Sequence, residues 1–336
     1  MRSTRPVRLV APLAVAALLV TGCGSSESDT DSSAAGGSSS GAFPVTIEHT
    51  FGETVIDEQP VDVVTWGFGS TDAALALGVV PVAIPTQTYG GDAEGVLPWI
   101  GEKLDEMGAE RPTMLPDGDE VPFEAIAAAQ PDVILANYSG ITEEEYRTLS
   151  EIAPTVAYPG EAWATPWRDV VTTVGQALGK AEEAEQLVAD TDKVISDAAA
   201  EHPELQGKTV AAVWDTAGTF YVYKPADARV EFLTDLGLTV APSVTALDSG
   251  ESTFYTTISY EQVPELTSDI LLSYASTPEE AATFDAQPYT QLMPQVQSGH
   301  HATMIGTEAI AAVSPPTVLS LTYSLDDYLQ VLSDAA

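Results

Sequence analysis

The chain is poor in cations, in histidine and in sulfur. Of its 336 residues, 12 are Lys or Arg, four are His and one is Cys. With a single cysteine, Cys23, no disulfide can form within the chain, and the folded part after it has no thiolate chemistry. The 12 basic residues stand against 50 acidic ones, a formal charge of −38. A phosphate backbone is bound through clusters of Lys and Arg, so a nucleic-acid partner is excluded. The histidines are His49, His202, His300 and His301. A bare zinc or manganese ion needs several converging His or carboxylate side chains. Here two are scattered, and the adjacent pair would point to opposite faces of a strand. No Gly-x-Ser-x-Gly elbow, phosphate-binding loop or His-Glu-x-x-His pattern occurs, and Gly67-Phe68-Gly69-Ser70 lacks the spacing of a dinucleotide fingerprint. No catalysis and no intrinsic cofactor are expected.

What the sequence does have begins at its first residues. Arg2, Arg5 and Arg8 precede a run over 9–20 made almost wholly of Leu, Val and Ala. That run is short of the roughly 20 residues a permanent spanning helix needs. Small residues and Cys23 follow, the order of a secretory signal. Val20-Thr21-Gly22-Cys23 resembles the bacterial lipobox, whose cysteine carries lipid and becomes the new N-terminus. Acyl chains anchor by burying methylene groups, at about 0.8 kcal/mol each. The expected divisions are a signal peptide over 1–22 and a lipidated Cys23 with a Gly- and Ser-rich tether over 23–43. That tether spans about 25 Å on average. Without residues 1–22 the chain holds nine basic against 50 acidic residues, a formal charge of −41. This describes a soluble acidic surface on the extracytoplasmic face of a membrane.

Beyond the tether, strand and helix patterns alternate, as in a parallel sheet with helices on its faces. Strands are expected over 61–65, 79–84, 132–136 and 155–158. Ser70 is expected to cap a helix to Leu77, Thr142 another to Ile152, and further helices fall over 97–107 and 123–130. From Thr165, as cap, and Pro166, as first helical residue, helical spacing continues to His202-Pro203. One helix of about 35 residues would be about 50 Å long, with Gly175 and Gly179 packed against a neighbour. Strands over 208–214, 219–223 and 269–273 and helices over 229–236 and 315–332 follow. The chain thus divides into an α/β lobe over 44–164, an inter-lobe helix over 165–203 and an α/β lobe over 204–336. The segments EAIAAAQPDVIL at 124–135 and EQVPELTSDILL at 261–272 share a Glu, an Asp eight residues later and three aliphatic residues. They suggest a helix-to-strand unit repeated in both lobes.

These segments, with VVTWGFGSTDAALALGVVPVAI, WRDVVTTVGQALGK and SPPTVLSLTYSLDDYL, resemble the substrate-binding lipoproteins of ABC importers for ferric siderophores, haem and cobalamin. The resemblance runs from Val45 to the C-terminus. It implies two Rossmann-like lobes with parallel-rich sheets, joined by one long rigid helix, with ligand in the cleft between them. It also implies that Glu124 and Glu261 dock to arginines of an ABC permease, that the protein is a monomer, and that iron is held by the siderophore. Members often carry a tryptophan before the SPP segment; here the stretch is GTEAIAAVSPP, which implies a cleft wall of different shape.

Ligands of parallel sheets bind beyond the carboxyl ends of the strands. That rule selects Trp66, Phe68, Thr86, Tyr89, Tyr138, Ser139 and Trp163 in the first lobe. In the second it selects Trp214, Tyr223, the loop over 224–229 with Arg229, Phe254, Tyr255 and Tyr274. Tyr and Trp suit a large, partly polar organic ligand. The arginines after the signal are Arg111, Arg147, Arg168 and Arg229. So few cations favour a neutral or cationic ferric hydroxamate over a tris-catecholate. Haem and cobalamin are the alternatives, a free transition metal the remoter one.

Overall fold

The computed structural model describes residues 43–118 and 120–336. The expected signal peptide, Cys23 and the tether to residue 42 lie outside the described residues. Among the described residues no helix is long and apolar enough to cross a membrane. The chain enters through an antiparallel ribbon, β1 (Val45–His49) and β2 (Gly52–Ile56). A first sheet follows, with β3 (Val63–Thr65), β4 (Ala83–Pro85), β5 (Thr113–Leu115), β6 (Val133–Ala136) and β7 (Thr155–Ala157). All are parallel, in the order β5-β4-β3-β6-β7. β3, β6 and β7 are buried along their whole length, because helices cover both faces. Val170, Val171 and Val174 pack with Val63, Val133 and Leu135. Ile126 and Leu149 pack with Val64 and Ile134 on the other face.

The second sheet holds β8 (Thr209–Thr216), β9 (Thr219–Tyr223), β10 (Thr239–Val240), β11 (Tyr255–Ile258), β12 (Ile270–Ala275) and β13 (His301–Ile305). Its main order is β11-β9-β8-β12-β13, and β10 pairs with the start of β8. β8, β10, β12 and β13 are parallel, whereas β9 and β11 are antiparallel to their neighbours. In each sheet the connections diverge from a central strand pair, β3/β6 in the first and β8/β12 in the second. Such a divergence is where an open α/β sheet leaves its crevice.

The expected single helix is two, Trp167–Ala177 and Ala181–Ala200. The break has a local cause. Gly179 is left-handed at φ +69°, and a Cβ there would come within 2.6 Å of the Phe43 ring. A Cβ on Gly175 would lie 2.2 Å from that of Ala184, so the two segments pack closely at the bend. Arg168 then clamps the assembly. It pairs with Asp192 on the second segment and with Asp235 at 2.9 Å and Glu231 at 3.5 Å on the Ala228–Asp235 helix. Phe43, expected in the tether, is therefore part of the fold.

Caps were harder to place. Thr142 does cap its helix, through a reciprocal bond with Glu145. Thr165 does not: its hydroxyl is buried without a partner among the described residues, and Pro166 takes the cap position. Ser70 instead donates to Asn137 Oδ1 at 2.6 Å, leaving Gly69 as the cap of Ser70–Ala76. The last helix, Val318–Ser333, starts after both prolines, at Thr317.

The repeat has a physical basis at its aspartates. Asp132 Oδ2 accepts from the backbone N–H of Val61 and Asp62 at 2.9 Å, and Asp269 Oδ2 from Thr209 N–H and Oγ1 at 2.8 Å. Each carboxylate sits at the start of one strand and fixes the start of its parallel neighbour. These bonds hold both carboxyls below the usual carboxylate range. The segments before them differ. Glu124 opens the helix Phe123–Ala128, but Pro264 leaves only a 3-10 turn, Val263–Glu265, after Glu261.

The C-terminal helix, expected with the second lobe, also packs on the first. Thr317 Oγ1 donates to Asp72 Oδ1, which also accepts from Trp99 Nε1 at 2.8 Å. Asp72 is 2% exposed, and burial pushes its carboxyl above the usual range despite these bonds. Asp72→Ala should cost about 2–4 kcal/mol in urea unfolding, because two buried donors lose their acceptor. Asp72→Asn keeps an acceptor and removes a buried charge, so it should change stability by under about 1 kcal/mol. A carboxyl raised on folding favours the folded state most below its unfolded pKa, and that increment is lost as pH rises through the folded value. From about pH 4 to neutrality the wild type should show this loss and Asp72→Asn should not.

Candidate functional site

At the divergence of the first sheet, the loops after β3 and β6 are laced together. Trp66 N–H donates to Leu135 O at 2.8 Å, and Phe68 N–H to Tyr138 O at 3.0 Å. Gly67 is needed there: a Cβ would lie 2.3 Å from Tyr138 O, and its φ is +93°. The lacing sets Phe68 and Tyr138 side by side, with ring centroids 6.1 Å apart, and Trp163 stands within 6.3 Å of both. Trp163 is left-handed at φ 61° and 42% exposed, an uncommon backbone state for a bulky residue. Its N–H donates to Ser139 O at 3.2 Å, and its indole covers Gly140.

Three cavities meet at these rings. One of about 180 Å³ lies between the halves, lined by Phe68, Tyr138 and Trp163 on one side and Asp227, Arg229 and Phe254 on the other. A second, of about 100 Å³, runs past Phe68 to Tyr89, Asp72 and Ser314. A third, of about 270 Å³, lies within the first half and is lined by Trp66, Phe68, Thr86 and Trp163 among others. The loop over 86–96 closes one side. Gly90 lies against the second half, where a Cβ would come within 2.6 Å of Ala311 Cβ. Tyr89, 40% exposed, bonds Ser276 Oγ across the cleft at 3.0 Å.

The structure thus brings together Trp66, Phe68, Thr86, Tyr89, Tyr138, Trp163, Arg229 and Phe254. It places the other expected residues differently. Ser139 is fully buried and its hydroxyl donates to Ala136 O. Tyr274 is core, its hydroxyl 3.4 Å from that of Tyr328. Tyr223 lies under the Arg229 guanidinium, 3.6 Å from its ring centroid, and burial pushes its hydroxyl up to about 12. Tyr255 packs between Phe254 and Tyr221. Trp214 stands behind Tyr89, 6.4 Å between ring centroids. The carboxyl-end rule fails for Tyr223 because β9 alone runs against the rest of the sheet, and for Tyr255 because it opens β11, opposite Tyr223. Gln87, Asp72, Asp117, Glu145 and Asp227 line the cavities and were not singled out from the sequence. Asp227 had a signal: Asp just before a helical run is a cap, and its side chain accepts from Arg229 N–H at 2.9 Å.

Among the described residues Arg229 is the only basic one lining the three cavities, against Asp72, Asp117, Glu145 and Asp227. It is already paired. Nε and one terminal nitrogen donate to the two Asp227 oxygens at 2.8 Å, and the other donates to Ser314 Oγ at 3.0 Å. Burial works against the cation, but Asp227 outweighs it and holds the pKa above the ordinary arginine value. Lys224 is spent on Asp248 at 2.6 Å and Ser252 O at 2.8 Å. The cleft presents aromatic faces and a net anionic lining.

Elsewhere, Ser273 Oγ lies 2.7 Å from His301 Nε2, whose Nδ1 is 3.3 Å from Asp285. The trio has the composition of a hydrolytic triad, but Ser273 is 3% exposed and lines none of these cavities. His300 turns away to Ala335 O. Among the described residues no three His, Cys, Asp or Glu side chains converge as a metal site.

Two α/β halves around an aromatic cleft define a substrate-binding protein rather than an enzyme. Comparison agrees. Residues 63–319 match the family described as periplasmic binding protein, and the chain belongs to that family. A probable siderophore-binding lipoprotein of Bacillus subtilis is 29% identical over 270 residues, 80% of this chain and 78% of that one. A ferric-citrate-binding protein of the same organism is 26% identical over 275 residues, covering 82% and 81%. The structure of PiaA from Streptococcus pneumoniae in complex with ferrichrome superimposes with a TM-score of 0.80 at 36% identity, covering 87% of this chain and 98% of that one.

The indole over Gly140 gives a direct test of the cleft geometry. A Cβ at Gly140 would lie 2.3 Å from Trp163 Nε1. Gly140→Ala should displace the ring, shift tryptophan emission to longer wavelength and cost about 1–2 kcal/mol of stability. Unchanged emission would contradict this placement of Trp163.

Proposed function

We propose that the protein captures a ferric siderophore, of hydroxamate type, outside the cytoplasm and delivers it to the permease of an ABC importer. The observation that carries this reading is the inter-half cleft with its one neutralised cation. Phe68, Tyr138, Trp163 and Phe254 offer faces to an organic shell, and Arg229 reaches the ligand only as part of an ion pair. Iron(III) enclosed by three hydroxamates carries no net charge and fits such a lining. A tris-catecholate complex carries several negative charges and would meet Asp72, Asp117, Glu145 and Asp227. The likeness to the ferrichrome-bound structure supports the same class. No histidine lines these cavities, which weighs against a haem ligated by imidazole.

Tryptophan-fluorescence titration of the purified full-length protein tests it. A neutral ferric trihydroxamate should quench saturably, and a ferric tris-catecholate should bind at least about tenfold more weakly. Tight binding of haem or cobalamin without the hydroxamate, or a preference for the catecholate, would overturn the assignment.

Delivery rests on Glu124 and Glu261. Both are exposed, and neither forms an ion pair among the described residues. Glu124 lies three residues from Val121, which lines the first-half cavity, and Glu261 follows Tyr260 beyond the end of β11. Two carboxylates on opposite halves suit a two-fold permease presenting arginines, each by a charge-assisted pair. Lipid on Cys23 would keep the monomeric receptor beside that permease. In cells, Cys23→Ser should shed the protein into the medium. Glu124→Arg with Glu261→Arg should leave it on the membrane, binding ligand normally but supporting no iron uptake. Retention of the serine variant, or uptake by the arginine variant, would contradict anchoring or docking respectively.

A further inference from the structure

The cavity of about 270 Å³ within the first half has a chemistry of its own. Its walls include the indoles of Trp66 and Trp163, Pro85 and Pro116, and the acidic residues Asp117 and Glu145. It shares Phe68 and Trp163 with the cavity between the halves. The two cavities therefore adjoin at these rings, next to where a ligand of the cleft would sit. No Lys, Arg or His lines the first-half cavity.

The Glu145 carboxylate is held in place. Glu145 Oε2 accepts from Thr142 N–H at 2.6 Å and Thr142 Oγ1 at 2.8 Å, in the cap of the helix Glu143–Ser150. Its second oxygen accepts no hydrogen bond among the described residues. Asp117 is exposed on the opposite side, in the loop after β5. Trp163 is set by the close approach of its ring to Gly140.

Three kinds of ligand arm can be compared. An anionic arm would meet two carboxylates and no counter-charge. A neutral apolar arm would cover the indoles but strip water from the carboxylates without replacing its hydrogen bonds. A cationic arm gains on both counts, since indole faces attract cations and carboxylates accept charge-assisted bonds. We infer that this lateral cavity receives a primary ammonium arm, so that the preferred ligand is a ferric trihydroxamate with a cationic tail. This rests on the cleft being the siderophore site.

The test compares two ferric complexes on the full-length protein by fluorescence titration. One is a linear trihydroxamate ending in a primary ammonium, and the other is the same molecule N-acetylated. Acetylation should weaken binding about tenfold in the wild type. In Asp117→Asn with Glu145→Gln the ratio should fall to near one, because the ammonium complex loses its advantage. Gln at position 145 can still serve the cap at Thr142, and an unchanged unfolding midpoint checks the fold. Equal binding of both complexes to the wild type, or a ratio that survives the double substitution, overturns the ammonium site alone. Binding of neither complex overturns the siderophore reading, and the ammonium site with it.

Discussion

The carboxylate of Asp72 is where the two halves become one structure. It belongs to the helix after β3, yet it accepts from Trp99 on the Pro98–Met107 helix and from Thr317, the cap of the last helix. A buried carboxylate is costly without partners, so its donors must stay in place for the chain to fold. That requirement seats the C-terminal helix on the first half. It also carries Ser314 and Pro315, just upstream, into the cleft, where they line the cavity beside Arg229. Arg168 acts similarly on the other side, joining both segments of the broken inter-half helix to the Ala228–Asp235 helix. The cleft walls are thereby held by contacts within the chain, which limits the ordering cost of binding.

Recognition then depends on how charge is kept out of play. A free guanidinium in a dry cleft would select anions. Asp227 binds it through both oxygens, and Tyr223 supports its lower face. What remains for a ligand is a set of rings, one Arg–Asp pair and a lining with more acids than bases. Such a surface binds by area and shape and discriminates by repelling negative complexes. Iron needs no protein ligand in this scheme.

Much of the architecture was legible in the sequence, because alternating apolar runs and turn signals report directly on buried parallel strands. The Glu-to-Asp repeat was legible for a reason visible only in the structure: each Asp fixes the start of a neighbouring strand. What periodicity could not show was the break at Gly179, since the apolar spacing passes through it and the left-handed backbone there, φ +69°, leaves no trace in that spacing. The carboxyl-end rule leads to Trp66, Phe68, Thr86, Tyr89 and Tyr138, which line one group of cavities, and also to Ser139, which is interior. The candidates of the second half scatter, because strand direction is not encoded in composition, and β9 runs against the rest of its sheet. Ser139 and Tyr274 look like ligand contacts by type and position, and packing makes them interior. The acids of the cleft were hidden among the 50 acidic residues of the chain.

The central claim is that a ferric complex sits between the halves with its iron coordinated only by its own oxygens. A crystal structure of the protein with a neutral ferric trihydroxamate tests this most directly. The account predicts the complex against Phe68, Tyr138, Trp163 and Phe254, beside an intact Arg229–Asp227 pair, with no protein atom in the iron shell. A complex bound elsewhere, or a side chain displacing a hydroxamate oxygen from iron, would contradict it.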